Sequence, residues 1–570
     1  MRKILLIFLL VFFFSLPVFA QQVDTAWVRN DAGSDIAVDS LGNVYVAGSV
    51  YDSVTSNDYV TIKYYPNGDT AWVRRYNGPG NSSDIAKAVA IDSYSNVYIT
   101  GTSGTIKYDN NGIQLWIGAW GGVDIATDNS GNICVTGSIW DTLTHNDYIT
   151  VRYYPNGDTA WVRRYSGLPN QYGEAEDLAT AIALDGSGNI YVTGYSNGLT
   201  VNNQYTTIKY QSTGDTVWVR RYNGREPHFS NQAYDIALDN FGNVFVTGTT
   251  ENGGTWYDYG TIKYYPNGDS AWCKIYWGGC RYDQIAKALA VDKFGNVYVT
   301  GYEQESQDMG GHWCRQGHGW DYVTIKYANS GTQAWLTLYN LGASDFAYDV
   351  ISDTFGNIYV TGSSGTVKYD TDGQQLWTTA WPSRVVSVDG IRNVYVTGSG
   401  HTIKYWQNYP PNDFSLVSPS DSAFLAYVVS FDWETAIDPD PWDTAKYDLY
   451  VSTSSSFNAD STVIYNSLST IQYTDTLEIG IYYWKVRAYD KHSAVWSTQV
   501  RTFLSALHGD ANADKKVSVA DVVYLINFLF KNGPAPYPFP AGDVNCDGYV
   551  TVSDVVYLIN YLFKGGRPPC

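Results

Sequence analysis

A seven-residue phrase returns eight times in this chain, and no other feature constrains the fold so tightly. It reads GNVYVAG at 42–48, SNVYITG at 95–101, GNICVTG at 131–137 and GNIYVTG at 188–194. It continues as GNVFVTG at 242–248, GNVYVTG at 295–301, GNIYVTG at 356–362 and RNVYVTG at 392–398. A short apolar run ending in Asp precedes each copy, and a TIKY-like run follows it. A Trp-centred run such as TAWVRRY at 70–76 then closes most units. The runs are short, rich in β-branched and aromatic residues, and separated by Asn-Gly and Gly-Asp turn chemistry, which marks four strands per unit. One four-stranded unit cannot bury both of its faces, so the units must stack around an axis as propeller blades.

The two ends of the repeat supply the closure. Asp24 to Asn30 (DTAWVRN) is a lone fourth strand with no unit before it, whereas the last unit, ending near Tyr405, has three strands and lacks a fourth. Together they complete one blade, which removes the open edge of the ring and brings the count to eight blades. These repeats resemble the secreted bacterial beta-propeller repeat (SBBP) family. That family is usually described as seven-bladed, so eight is a departure, and the resemblance implies architecture more than chemistry.

Within such a blade the links between strands two and three and between successive blades share one face. Here those links vary in length, with the longest at 302–321, so this face is the candidate ligand surface. Its aromatics include Trp140, Trp256, Tyr257, Trp313 and Trp320. Cys280 and Cys314 fall on the same face of adjacent blades and form a candidate disulfide, as do Cys546 and Cys570 near the C-terminus. Cys134 and Cys273 lie inside strand patterns and read as buried thiols.

After the repeat, Pro410 and Pro411 mark a linker, and alternating runs such as SFDWETA and YYWKVRAYD read as strands of a sandwich with Trp433 and Trp484 in its core. This stretch resembles a fibronectin type III-like or related immunoglobulin-like module, which implies a spacer.

The C-terminal segment carries legible chemistry. Asp510, Asn512, Asp514 and Asp521 occupy positions 1, 3, 5 and 12 of one loop, and Asp543, Asn545, Asp547 and Asp554 repeat the spacing. Calcium takes six to eight oxygens, and this spacing supplies them with the position-7 carbonyls of Lys516 and Tyr549. Each loop runs into a near-identical apolar helix pattern, VVYLINFLF and VVYLINYLF. The pair resembles a type I dockerin, which implies two Ca2+ ions and a cohesin-like partner. The resemblance places partner contacts at Val519, Ala520, Val552 and Ser553, where cellulosomal dockerins commonly carry Ser/Thr pairs. Lys515 stands where the second loop has Gly548, so the first site is expected to be weaker or distorted.

Arg2 and Lys3, an apolar run too short to span a bilayer, and Ala20 read as a secretory signal. The expected organisation is a signal peptide at 1–20, a propeller at 21–407, a sandwich at 408–505 and a dockerin at 506–570. Abundant Tyr, Trp and Gly fit a secreted all-β protein with one small helical module. A formal charge of −20 argues against nucleic acid as a partner, and no later segment of the mature chain is apolar enough to cross a membrane. No nucleophile elbow, HExxH, phosphate loop or facing carboxylate pair is recognisable. The reading is a secreted, extracellular or surface-attached, non-catalytic protein binding a carbohydrate or protein ligand and tethered to a cohesin-like or cell-surface component. Two alternatives stay open: a polysaccharide-degrading hydrolase acting on O-glycosyl bonds, and a structural surface or adhesion protein.

Overall fold

The computed structural model describes residues 23–569 except 32, 168–175, 198–202, 225–229, 252–256, 279–281, 309–313, 343, 441–443 and 491–492, with backbone alone for 305–308 and 314–318. The expected signal segment 1–20, Cys280, Trp256, Trp313 and Cys570 therefore lie outside the described residues. The chain divides into two compact units, the first ending at Gln407 and the second beginning at Asn408.

The first unit is an eight-bladed propeller. Seven four-stranded antiparallel sheets follow one another in chain order, each numbered a to d from the axis outward, and the eighth is completed across the termini. In that blade Val23–Arg29 pairs antiparallel with His401–Gln407, so the N-terminal strand is strand d of a blade whose a, b and c strands come last in the chain. Successive a strands contact one another around the whole ring, and that of blade one meets that of blade eight. The strand-b phrase is the core of every blade: Val44, Tyr45, Val97, Tyr98, Ile190, Tyr191 and their equivalents are fully buried.

Turn chemistry repeats with the strands. Asp39 accepts from the backbone N–H groups of Leu41 and Asn43 and from the side chains of Asn43 and Tyr45, and the aspartates ending the other a strands make the corresponding turn bonds. These bonds fix the tight a–b link while the Gly beside it takes positive φ (78° at Gly42).

Two bonding patterns join blade to blade. In the outer pattern, the strand-c cation and the strand-d indole of one blade both donate to a turn carbonyl of the next: Lys63 Nζ and Trp72 Nε1 reach Asn110 O at 3.1 and 3.0 Å, and Lys326 Nζ and Trp335 Nε1 reach Thr371 O at 2.8 and 3.1 Å. Blade seven faces a difficulty, because the blade beyond it is the spliced one and has no c–d turn. The side chain of buried Gln407 stands in: its Oε1 accepts from Lys368 Nζ at 2.6 Å and Trp377 Nε1 at 3.2 Å.

The inner pattern alternates. Blades one, three, five and seven carry Asp35, Asp124, Asp235 and Asp349 on strand a, while the register places Ala88, Ala181, Ala288 and Val385 at the same level in the even blades. One carboxylate oxygen accepts the N–H of the residue that follows in its own blade (Ile36, Ile125, Ile236, Val350), at 2.8 Å in all four. The other accepts the equivalent N–H of the next blade (Val89, Ile182, Leu289, Val386) at 2.8–2.9 Å. Four carboxylates thus satisfy eight inner N–H groups, two each, which is why every second blade needs none.

Two expectations need correction. The link at 302–321 is a β-ribbon: Val297–Asp308 pairs with Cys314–Tyr327 out to Asp308 opposite Cys314. Cys134 is buried as expected, but Cys273 is exposed, because it sits on the solvent side of an outer strand where blade one has the 46 % exposed Val73.

The second unit opens with a two-sheet sandwich. Leu416–Ser418, Val428–Trp433 and Gln472–Thr476 form one sheet, and Ala423–Leu425, Arg501–Ser505, Gly480–Tyr489, Lys446–Ser452 and Thr462–Leu468 the other, with Ala494–Trp496 paired to Gly480–Tyr489. Trp433, Trp484, Phe431 and Phe503 fill the space between them. Two helices complete the unit, α1 (Val519–Lys531) and α2 (Val552–Lys564), each started by a capping box, Ser518 with Asp521 and Thr551 with Asp554.

Candidate functional site

The two C-terminal loops share a set of matching hydrogen bonds. In the first, Asp514 N–H donates to Asp510 Oδ1 at 2.9 Å, Lys515 N–H to Asp510 Oδ2 at 2.8 Å, and Ser518 N–H to Asp521 Oδ2 at 2.8 Å. In the second, Asp547 N–H, Gly548 N–H and Thr551 N–H donate to the matching oxygens of Asp543 and Asp554 at 3.1, 2.8 and 2.8 Å. Asn512 and Asn545 each accept from the Asp two residues on. The last aspartate of each loop caps a helix as well as closing the loop, so the helix start and the loop share one carboxylate.

Oxygens of Asp510, Asp514 and Asp521 lie within 4.8 Å of one another, with Asp510 and Asp521 fully buried. Burial first, and the charges of Asp510 and Asp514 after it, push the Asp521 carboxyl above its usual range. A hard donor set with crowded, unneutralised charge is what a divalent cation relieves, so these residues fit calcium.

The expected distortion at Lys515 is absent from the backbone: it takes φ 69° where Gly548 takes 89°, and its N–H makes the same 2.8 Å bond. A left-handed non-glycine residue costs about 1 kcal/mol. The side chain meets a partner in return, an ion pair with Glu478 of the sandwich. The sandwich touches this loop twice more: the Tyr427 hydroxyl donates to Asp510 Oδ2, and Phe424 packs on His508 with ring centroids 4.0 Å apart. These three contacts set the surroundings of the first loop.

Val519, Ala520, Val552 and Ser553 are all exposed. They head two apolar stripes that sequence reading left incomplete: Val519, Val523 and Phe530 are 49, 51 and 63 % exposed, and Val552, Val556 and Phe563 are 48, 51 and 64 % exposed. Spacing of four and seven residues along a helix is the signal that could have found them. Cys546 is disulfide-bonded, and its expected partner Cys570 lies outside the described residues.

On the propeller face, the three described aromatics have different surroundings. Trp140 is 61 % exposed at a ribbon tip and stacks on His145, with centroids 5.0 Å apart. Tyr257 is half-buried and its N–H donates to Asp283. Trp320 is half-buried against Tyr302 and Phe346 and serves as packing. Cys314 begins a strand, but with Cys280 undescribed the proposed staple between them has no geometry.

Residues 508–563 match the family model for the dockerin type I domain, and segments at 29–49, 71–105, 161–199, 217–254 and 335–366 match the beta-propeller repeat. The chain is 25 % identical over 289 residues to an uncharacterised WD repeat-containing protein of Acanthamoeba polyphaga mimivirus, covering 45 % of this chain and 18 % of that protein. It thus spans less than a fifth of that relative. Among solved structures it is similar to Sqt1 from Chaetomium thermophilum, at 12 % identity and TM-score 0.48 over 68 % of this chain and 99 % of that one. It is similar also to the extracellular domain of the putative hybrid two-component system BT3049 of B. thetaiotaomicron, at 12 % identity and TM-score 0.30, covering 82 % and 72 %.

Proposed function

We propose that this is a secreted, non-catalytic binding protein, with the propeller as recognition surface and the C-terminal module as a calcium-dependent tether to a cohesin-like domain. The observation that carries it is the doubled loop–helix module, whose halves share one hydrogen-bond network and expose matching apolar stripes. Asp510, Asn512, Asp514, Lys516 and Asp521 would hold one ion, and Asp543, Asn545, Asp547, Tyr549 and Asp554 a second. Calcium, when bound, supplies the positive charge that lets three carboxylates share one loop. The chain's own part is to orient the oxygens through backbone N–H donors and to couple loop closure to the helix start through Asp521 and Asp554. Folding of the loops then fixes Val519, Ala520, Val552 and Ser553 on the surface offered to the partner.

The test is capture of the full chain on immobilised type I cohesin domains, with calcium and with chelator. Calcium-dependent retention, lost when Val519 and Val552 are both changed to Asp, supports the tether. Retention that ignores chelator, or no retention on any cohesin of a broad panel, refutes it.

A further inference from the structure

In each blade one residue precedes the alternating aspartate or alanine level of strand a, toward the side where the blades are joined. In blades five to eight these residues are Tyr234, Lys287, Tyr348 and Arg384. Three of the four sit at β-bulges that turn a side chain out of the ladder, and Arg384 immediately precedes the strand that starts at Val385. Lys287 Nζ lies 4.7 Å from the Tyr234 ring centroid and 5.7 Å from that of Tyr302, and the Arg384 guanidinium lies 5.9 Å from that of Tyr348. Tyr302 is itself held edge-on by Trp320 and Phe346 at 5.3 and 4.9 Å. The result is an arc, crossing four blades, in which cations and aromatic faces alternate.

Lys287 differs from the propeller's strand-c lysines. Each of the seven strand-c lysines donates to a carbonyl or amide oxygen of the next blade. Lys287 is half-buried, and among the described residues its ammonium has two aromatic faces but no carbonyl, hydroxyl or carboxylate partner. Burial alone pulls its pKa down. A desolvated cation held only by ring faces is incompletely compensated, and an anion placed over it would recover what burial costs.

Resting on the reading of the propeller as a ligand-binding surface, we infer that this arc is the binding site and that it takes a saccharide bearing an isolated carboxylate, a uronosyl group on an otherwise neutral chain. Lys287 and Arg384 meet the carboxylate, and Tyr234, Tyr302 and Tyr348 offer faces to the sugar rings. The sparse charge follows from the rest of the chain: at a net −20, a densely anionic polymer is repelled everywhere except at this arc. An acidic peptide would satisfy the cations and leave the ring faces without use.

The experiment is calorimetric titration of the full chain, in calcium, with three probes: a xylo-oligosaccharide carrying one glucuronosyl group, the same oligosaccharide without it, and a short glutamate-containing peptide. The acidic sugar is expected to bind at least tenfold more tightly than either control. Lys287→Met and Arg384→Gln should each weaken it at least fivefold with the thermal unfolding midpoint unchanged. If Lys287→Met fails to fold, acetylation of Lys287 in the wild-type chain gives the answer, with protection by the acidic sugar and none by the neutral one. Equal binding of both sugars, preference for the peptide, undiminished binding by the variants, or no binding of any probe overturns the inference. Cohesin capture in calcium is read separately, so failure here with capture intact leaves the tether standing, and the reverse result removes the tether alone.

Discussion

Replacing Gln407 should open the propeller at its seam. At the other seven junctions the acceptor for the cation–indole pair is a backbone carbonyl, which no substitution removes. At the junction of blades seven and eight the acceptor is a side chain, and Gln407→Leu deletes it. The Trp377 indole N–H, in a residue only 5 % exposed, then loses its acceptor at 3.2 Å, and the Lys368 amine, in a residue 1 % exposed, loses one at 2.6 Å. Stranding a buried donor costs about 1–3 kcal/mol, so loss of the Trp377 acceptor alone should cost about that much. Burial already lowers the Lys368 pKa to about 7 against 10.5 unfolded. Between those values the unfolded chain binds more protons, so this group's contribution to stability rises with pH from 7 to 10.5. Loss of the acceptor should push the lysine further toward its neutral form and shift the window downward. The assay is urea unfolding of the full chain, following the propeller transition, with Thr371→Ala as the control whose backbone carbonyl survives. A fall in midpoint for Gln407→Leu no larger than for Thr371→Ala, at unchanged m-value, would refute the role assigned to the side chain.

Three further outcomes are expected. Burial raises Asp35, Asp235 and Asp349 to about 7 and Asp124 to about 6, so the native ring binds more protons than the unfolded chain. That contribution is complete below the unfolded value near 4 and is lost as pH climbs to 7; calorimetry should show the propeller's midpoint falling from pH 5 to pH 7, and a flat or rising midpoint contradicts it. Tyr427→Phe removes the hydroxyl that orients Asp510, which should weaken calcium several-fold at the first loop and leave the second alone; titration showing both sites shifted equally would exclude the contact as the cause. The segment 506–570 alone should lose helicity when calcium is chelated, seen at 222 nm by circular dichroism, and an unchanged spectrum would separate its folding from the ion.

The blade count and the seam strand were legible because each blade repeats one packing problem, so the same residues recur in the same order. Loop spacing was legible for a similar reason, since coordination fixes positions 1, 3, 5 and 12. What escaped depends on neighbours distant in sequence. The environment of Lys287 is made by Tyr234 from another blade, and no local pattern announces it. Gln407 lies at the end of the last strand and looks unremarkable until the missing turn beside it is seen. The ribbon around Asp308 and Cys314 has polar residues on both faces, so it lacks the alternation that betrays a half-buried strand. Cys273 was readable, because strand d shows one side to solvent and that position falls on it.

The shared carboxylates along the axis impose a rule of parity. Each serves one N–H in its own blade and one in the next, so the smallest interchangeable piece of the ring is a pair of blades. Excising blades three and four leaves Asp35 joined to Val89 and Asp235 joined to Leu289, with every inner donor still met. Excising one blade alone sets two aspartates in competition at one junction or leaves a donor unserved at another. A lineage, or an engineer, working with this architecture would therefore change its circumference in even steps.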